Sequence, residues 1–177
     1  MIKKPTFPRR NSQVSLFIDV SNIYYSQQTL GWKIDYSKVL NYFKNHTKLV
    51  SAFFYSGVVS KDAKQQKFFS KMKQFGFVVK TKEVKWIRDK NSKTLKGKGN
   101  LDIELALDMS HTTKKYTVAV LFSGDSDFTP VVEFVQAKRK KVIVFSSRGH
   151  ISRELARAAD LYIPFESMRE EFERKIS

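Results

Sequence analysis

The amino-acid sequence predicts an α/β fold, a three-layer α/β/α sandwich around a mainly parallel central sheet. Three observations predict it. Apolar runs of strand length alternate with segments of helical period almost throughout the chain. The strand runs are continuously apolar instead of alternating with polar residues, the pattern of a parallel sheet covered on both faces. The 177 residues are 41% hydrophobic and include 15 Phe, enough for one core that buries roughly two thirds of the extended-chain surface.

Val14 to Ile18 is the first strand, ending at Asp19, and segments of helical spacing follow it. Asp35 to Phe43 carries Tyr36, Val39, Leu40 and Phe43 at the spacing of a half-buried helix, with Asp35 in the capping position. Leu49 to Tyr55 is a second strand stopped by Ser56 and Gly57. Asp62 to Gln74 is a lysine-studded helix with Phe68, Phe69 and Met72 inward; Gly76 ends it, and Phe77 to Val79 is a third strand. Residues 88 to 99, RDKNSKTLKGKG, are polar, basic and punctuated by glycine, which predicts a mobile loop. Then come a helix over Leu101 to Met109, a buried strand over Tyr116 to Phe122, a helix over Pro130 to Ala137 and a strand over Lys141 to Phe145. Ser152 to Ala159 reads as helix, Leu161 to Ile163 as the last strand and Glu166 to Lys175 as a charged terminal helix. The chain thus divides into a basic N-terminal extension (1–13), an α/β domain (14–163) and a charged helical tail (164–177).

Composition excludes several chemistries. With no Cys, there are no disulfides, thiolate nucleophiles or zinc ribbons, as expected of a chain kept in a reducing cytoplasm. His46, His111 and His150 show no zinc-binding spacing, so any metal is to be held by oxygen. No apolar run follows the basic N-terminus, and the longest, Val118 to Phe122, is far short of a bilayer span. A soluble protein with no membrane partner is expected. The 33 Lys and Arg against 17 Asp and Glu leave a net charge of +16, a field that attracts polyanions and points first to nucleic acid.

Parallel sheets bind ligands beyond the carboxyl ends of their strands, and the acidic residues gather there. Asp19 stands where the first strand stops, with Asn22 one turn on; Asp19 reads as a helix cap or as a ligand, and Asn22 alone as a turn residue. The strand to Phe122 ends in SGDSDF, placing Asp125 and Asp127 two residues apart. Thr129 and Pro130 resemble an N-cap and first helical residue, which leaves those aspartates less needed for capping. Carboxylates held that close repel unless a cation neutralises them. Asp102 opens the helix of GKGNLDIELALDM, where the helix dipole alone also favours an acid. Glu104 and Asp108, four apart on one face, are a mildly destabilising like-charge pair, and Glu104 reads as part of a solvated face. Asp19, Asp102, Asp125 and Asp127 form an all-oxygen set drawn from three segments of a basic chain, the layout suited to Mg²⁺ or Mn²⁺ beside a phosphodiester.

FIDVSN, KGNLDIELALDM and VAVLFSGDSDF followed by a helix and KVIVF together resemble the NYN domain of the LabA-like branch of the PIN-like nuclease superfamily. The resemblance runs over about residues 14 to 163, and SGDSDF after an apolar strand is its most specific element. It implies a metal-dependent endoribonuclease that hydrolyses RNA, with Asp19, Asp102, Asp125 and Asp127 at the acidic metal positions. It also implies functional roles for Asn22 and Ser123 and an auxiliary one for Asp108, the second aspartate of the family's helix. Val20 stands where the family often has Gly, and Asn100–Leu101 replaces Gly-Val; neither change removes a ligand.

From Lys61 to Lys98 there are 13 Lys or Arg and three acids, more than half of the net charge. Phe68, Phe69 and Phe75 have core spacing, whereas Trp86, between Lys85 and Arg88, is placed to stack on a base. Lys96 and Lys98 directly precede the helix of Asp102, so Lys85, Trp86, Arg88, Lys93, Lys96 and Lys98 are the expected RNA contacts, with single-stranded RNA favoured. An ordinary surface loop is the competing reading of that stretch. Two other functions stay open: a non-cleaving nucleic-acid-binding module with a vestigial metal site, and a DNA-directed structure-specific nuclease. A homo-oligomer is also left open.

Overall fold

A computed structural model describes residues 8, 10–59, 62–84 and 100–175, and the backbone of 85–88 and 95–98. Its centre is a six-stranded sheet built from β1 (Gln13–Asp19), β2 (Lys48–Val58), β3 (Val78–Glu83), β6 (Val118–Phe122), β7 (Lys141–Ser146) and β8 (Leu161–Pro164). All neighbours are parallel, in the order β3-β2-β1-β6-β7-β8. Between β3 and β6, β4 (Lys85–Arg88) and β5 (Leu95–Lys98) pair antiparallel as a separate two-stranded ribbon. Strand order reverses at β1, which has β2 on one side and β6 on the other.

The helices are α1 (Val20–Leu30), α2 (Tyr36–His46), α3 (Ala63–Phe75), α4 (Asp102–His111), α5 (Thr129–Ala137), α6 (Arg153–Ala158) and α7 (Arg169–Phe172). The period of two along each strand divides its apolar run between two cores. Leu16, Ile18, Phe54, Val120, Phe122 and Phe145 face α1, α2, α3 and the C-terminal segment. Phe17, Tyr55, Ala119, Leu121, Val142 and Val144 face α4, α5 and α6. Parallel crossovers of one hand place helices on one face while the chain moves out from β1, and on the other after it reverses. Both outer strands are blunted: β3 carries Lys80 and Lys82, and β8 ends in Pro164.

Local signals set the helix ends. The carboxylates of Asp35 and Asp62 accept from the backbone N–H groups of Ser37 and Gln65, and Gly76, at φ +111°, closes α3 in a left-handed conformation that a side chain would strain. The structure departs from expectation at three places. Residues predicted as a mobile loop include Arg88 at the end of β4 and all of β5; 89–94 and 99 lie outside the described residues. The predicted helix over Glu166 to Lys175 is a 3₁₀ turn at Phe165–Met168 and four residues of α-helix, after which Glu173 pairs with Ile34 in an antiparallel bridge. Apolar packing sets that path, since Phe165, Met168 and Phe172 are buried in the α1–α2 core. Finally, a 3₁₀ turn at Ser126–Phe128 runs directly into α5, so Thr129 is the first helical residue and caps nothing with its side chain. Among the described residues no helix is long and apolar enough to cross a membrane.

The abundant Phe is explained by one aromatic cluster in the first core. The Phe122 and Phe145 rings stack with centroids 4.9 Å apart, and Phe43, Phe165 and Phe172 surround them. Phe172 is fully buried. Phe172→Ala therefore leaves a cavity and is expected to cost about 3–5 kcal/mol, read as the change in free energy of urea unfolding. A loss below about 1 kcal/mol would show that the C-terminal segment does not belong to the core.

Candidate metal centre

β1 and β6 lie side by side at the strand-order reversal, and their carboxyl ends carry Asp19 and the Ser123–Asp127 turn. Asp19 is 8% exposed and both its oxygens are engaged. Oδ1 accepts the N–H of Asn22, capping α1, and Oδ2 accepts the Ser123 hydroxyl at 3.0 Å. Burial pushes the Asp19 carboxyl up; the hydrogen bonds from Asn22 and Ser123 pull it back, and Asp125 adds to the rise. Of the two readings of Asp19, helix cap or ligand, its hydrogen bonds show the cap, and they also tie it to the turn of the acidic group.

That turn is pinned at each residue. Asn22 Oδ1 accepts the Gly124 N–H at 2.9 Å, and Ser123 Oγ accepts the Asp125 N–H at 3.3 Å. The Gly124 carbonyl accepts the Ser152 N–H. A Cβ on Gly124 would run into the His150 carbonyl and lie 2.6 Å from Ser146 Oγ, so only glycine fits the approach of the 147–150 turn. Asp125 Oδ1 in turn accepts the Asp127 N–H at 3.0 Å. Asp125 therefore does cap the 3₁₀ turn, contrary to the expectation that capping is supplied by Thr129.

The third element is α4. Its buried stripe is Leu101, Leu105 and Met109, and helical spacing places Asp102 on one flank and Glu104 with Asp108 on the other. The Asp102 flank meets the 3₁₀ turn. Asp102, Asp125 and Asp127 each offer an oxygen within 4.8 Å of the others. Asn100 Nδ2 donates to Asp102 Oδ2. Asp19 is not in this close group, but its charge reaches Asp102: burial first, and then Asp19, Asp125, Asp127 and Glu104, lift the Asp102 carboxyl to about 6.

The second flank is matched by lysines, so Glu104 is ion-paired and not simply solvated as expected. Lys80 lies 2.6 Å from Asp108 Oδ2, which also accepts the Tyr55 hydroxyl at 2.7 Å; Lys82 lies 2.8 Å from Glu104 Oε1. Tyr55 and Lys80 are register neighbours on β2 and β3. The Lys82 hydrogen bond holds the Glu104 carboxyl below its usual value, while burial and Asp108 raise the Tyr55 phenol. These partners were absent from the sequence reading, which ended the third strand at Val79. The available signal was two lysines at strand period opposite two acids at helix period.

Of the expected RNA contacts, Lys85, Trp86, Arg88, Lys96 and Lys98 fall on the β4–β5 ribbon, where Lys85 pairs with Lys98 and Trp86 with Gly97. Lys93 lies outside the described residues. A cleft of about 780 Å³ lined by Gln27, Trp32, Lys33, Glu173 and Arg174 shares no residue with the acidic group.

The NYN domain family model matches residues 13–166. The chain belongs to the NYN domain family. This is a PIN-like nuclease family. The chain is 40% identical over 169 residues to the low amplitude and bright protein LabA of Synechococcus elongatus, covering 93% of this chain and 90% of LabA. The fold is also that of a Vibrio parahaemolyticus protein of unknown function known from its crystal structure, with a TM-score of 0.77 at 25% identity, covering 96% of this chain and all of the other. The nuclease-type NYN domain and the three converging carboxylates point to a divalent cation. The donors fit one: they are all oxygen, and the Asp102 carboxyl, raised by burial and then by the neighbouring acids, is in surroundings whose excess negative charge a cation offsets.

A pH dependence follows. In the fold Asp102 keeps its proton up to about pH 6, against 3.8 when unperturbed. The folded state then binds more protons between those values, so this group makes the metal-free protein less stable as pH rises through that window. Asp102→Asn is expected to raise the metal-free Tm at pH 7, and Mn²⁺ to raise the Tm of the native protein but not of the variant. Thermal unfolding at pH 4.5 and 7, with and without Mn²⁺, checks this; an equal Mn²⁺ response in both proteins would contradict it.

Proposed function

We propose that this NYN-domain protein is a metal-dependent endoribonuclease that hydrolyses phosphodiester bonds of single-stranded RNA. The carrying observation is the convergence of Asp102, Asp125 and Asp127 at the carboxyl edge of the sheet in a chain of net charge +16. Those three side chains would hold Mg²⁺ or Mn²⁺. When bound, the cation supplies a Lewis acid beside the phosphodiester and offsets the negative charge that builds there during hydrolysis.

The chain's own residues do the rest. Asp19, Ser123 and Asn22 fix the backbone that presents Asp125 and Asp127. Asn100 orients the Asp102 carboxylate. Asp108 serves in an auxiliary role, held by Tyr55 and Lys80 so that α4 presents Asp102 at the turn. The positive charge of the 61–98 stretch, with Lys85, Trp86, Arg88, Lys93, Lys96 and Lys98, attracts the RNA backbone and keeps it beside the acids.

The test is cleavage of end-labelled single-stranded RNA with Mn²⁺. Fragments are expected with the metal and none in EDTA, and Asp125→Asn combined with Asp127→Asn is expected to lower the rate roughly 100-fold or more. Full activity in the double variant would contradict the assignment. RNA bound equally in EDTA and Mn²⁺ without cleavage would make the protein a binding module instead, and cleavage confined to branched DNA would make it a DNA-directed enzyme.

A further inference from the structure

Helix α1 leaves the acidic edge with two large aromatic side chains in solvent. Tyr24 is 62% exposed and Tyr25 59% exposed, and their rings meet edge to face with centroids 5.7 Å apart. The helix does not need them for packing, because Ile23 and Ser26 are its buried residues. Their position relates them to the site. Asn22, Tyr25 and Thr29 follow one another at spacings of three and four residues and so line one edge of α1. At one end of that edge Asn22 holds the Gly124 N–H, next to Asp125; at the other the Thr29 hydroxyl lies 3.3 Å from His150 Nδ1 in the 147–150 turn. Tyr25 stands between them, about 4.5 Å along the helix from Asn22. Tyr24 extends the aromatic surface around the solvent side.

We infer that Tyr25, with Tyr24 against it, is a stacking platform for nucleobases of the strand that enters the acidic site, which makes an unpaired strand the required substrate. This rests on the reading of that site as one that acts on nucleic acid. Every base has a π-face, so an aromatic platform recognises a strand whatever its sequence, but only where the bases are free of their own duplex stack. The positive chain supplies the complementary attraction for phosphates, and the tyrosines supply the contact that separates single from double strands.

Fluorescence anisotropy with a labelled single-stranded RNA and its duplex, in EDTA so that cleavage plays no part, tests this. Tyr25→Ala and Tyr24→Ala are expected to weaken single-strand binding about 5- to 150-fold. Duplex binding and the dependence of log Kd on log salt are expected to stay unchanged, since no phosphate contact is removed. Tyr25→Phe keeps the ring and is expected to bind as the native protein does. Alanine suits an exposed helical position, so the variants are expected to fold, as circular dichroism would verify. Native single-strand affinity in both alanine variants, with Mn²⁺-dependent cleavage present, would overturn the platform and leave the nuclease. Weakened binding in the alanine variants without cleavage by any of these proteins would support the platform and remove the nuclease. No binding of any nucleic acid by the native protein would overturn both.

Discussion

One buried carboxylate holds the centre of this molecule together. Asp19 ends β1, caps α1 through the Asn22 N–H and accepts the hydroxyl of Ser123, 104 positions away at the end of β6. A charged group removed from water is tolerated only when hydrogen-bonded, and here the bonds come from the residue that follows the neighbouring strand β6 and from the first turn of α1. Polar contacts therefore tie the carboxyl ends of β1 and β6 together at the strand-order reversal. Gly124 completes this junction, since the Asn22 amide and the 147–150 turn occupy the space on either side of its backbone.

Charge is sorted by helix face. The two flanks of α4 carry acids of the same sign, yet one flank is matched by Lys80 and Lys82, whereas the other is turned toward Asp125 and Asp127 and has no salt-bridged lysine among the described residues. Exposed ion pairs add little stability, about 0–1 kcal/mol each. Their consequence is orientation: α4 presents Asp102 to the turn, where burial first and then the neighbouring acids lift its carboxyl to about 6.

Elements built from apolar runs were legible in the sequence, because continuous Val, Leu, Ile and Phe over five to seven residues between helical periods has few solutions other than a covered parallel sheet. The parallel sheet and the strand ends bearing Asp19 and the Asp125–Asp127 pair follow from it, whereas the strand order comes from the tertiary packing. The β4–β5 ribbon was not legible, since antiparallel pairing is made by backbone hydrogen bonds and Lys85, Lys96, Gly97 and Lys98 give no apolar pattern. β3 was read short because an edge strand continues through Lys80 and Lys82 without needing a second buried face. The 3₁₀ turn before α5 was hidden behind Thr129–Pro130, which resembles a cap, and the path of the terminal segment depends on where Phe165 and Phe172 find the aromatic cluster. The gathering of Asp102 with Asp125 and Asp127, and the separate role of Asp19 behind them, required the packing of α4.

The central claim is that three carboxylates from two elements form one cation site while Asp19 anchors their backbone. A crystal structure of the protein soaked in Mn²⁺, with the cation located by its anomalous scattering, measures this directly. A Mn²⁺ ion bonded to oxygens of Asp102, Asp125 and Asp127 is expected, with the Asp19–Ser123 and Asn22–Gly124 hydrogen bonds intact. A cation held away from these three aspartates, or none at saturating Mn²⁺, would contradict it.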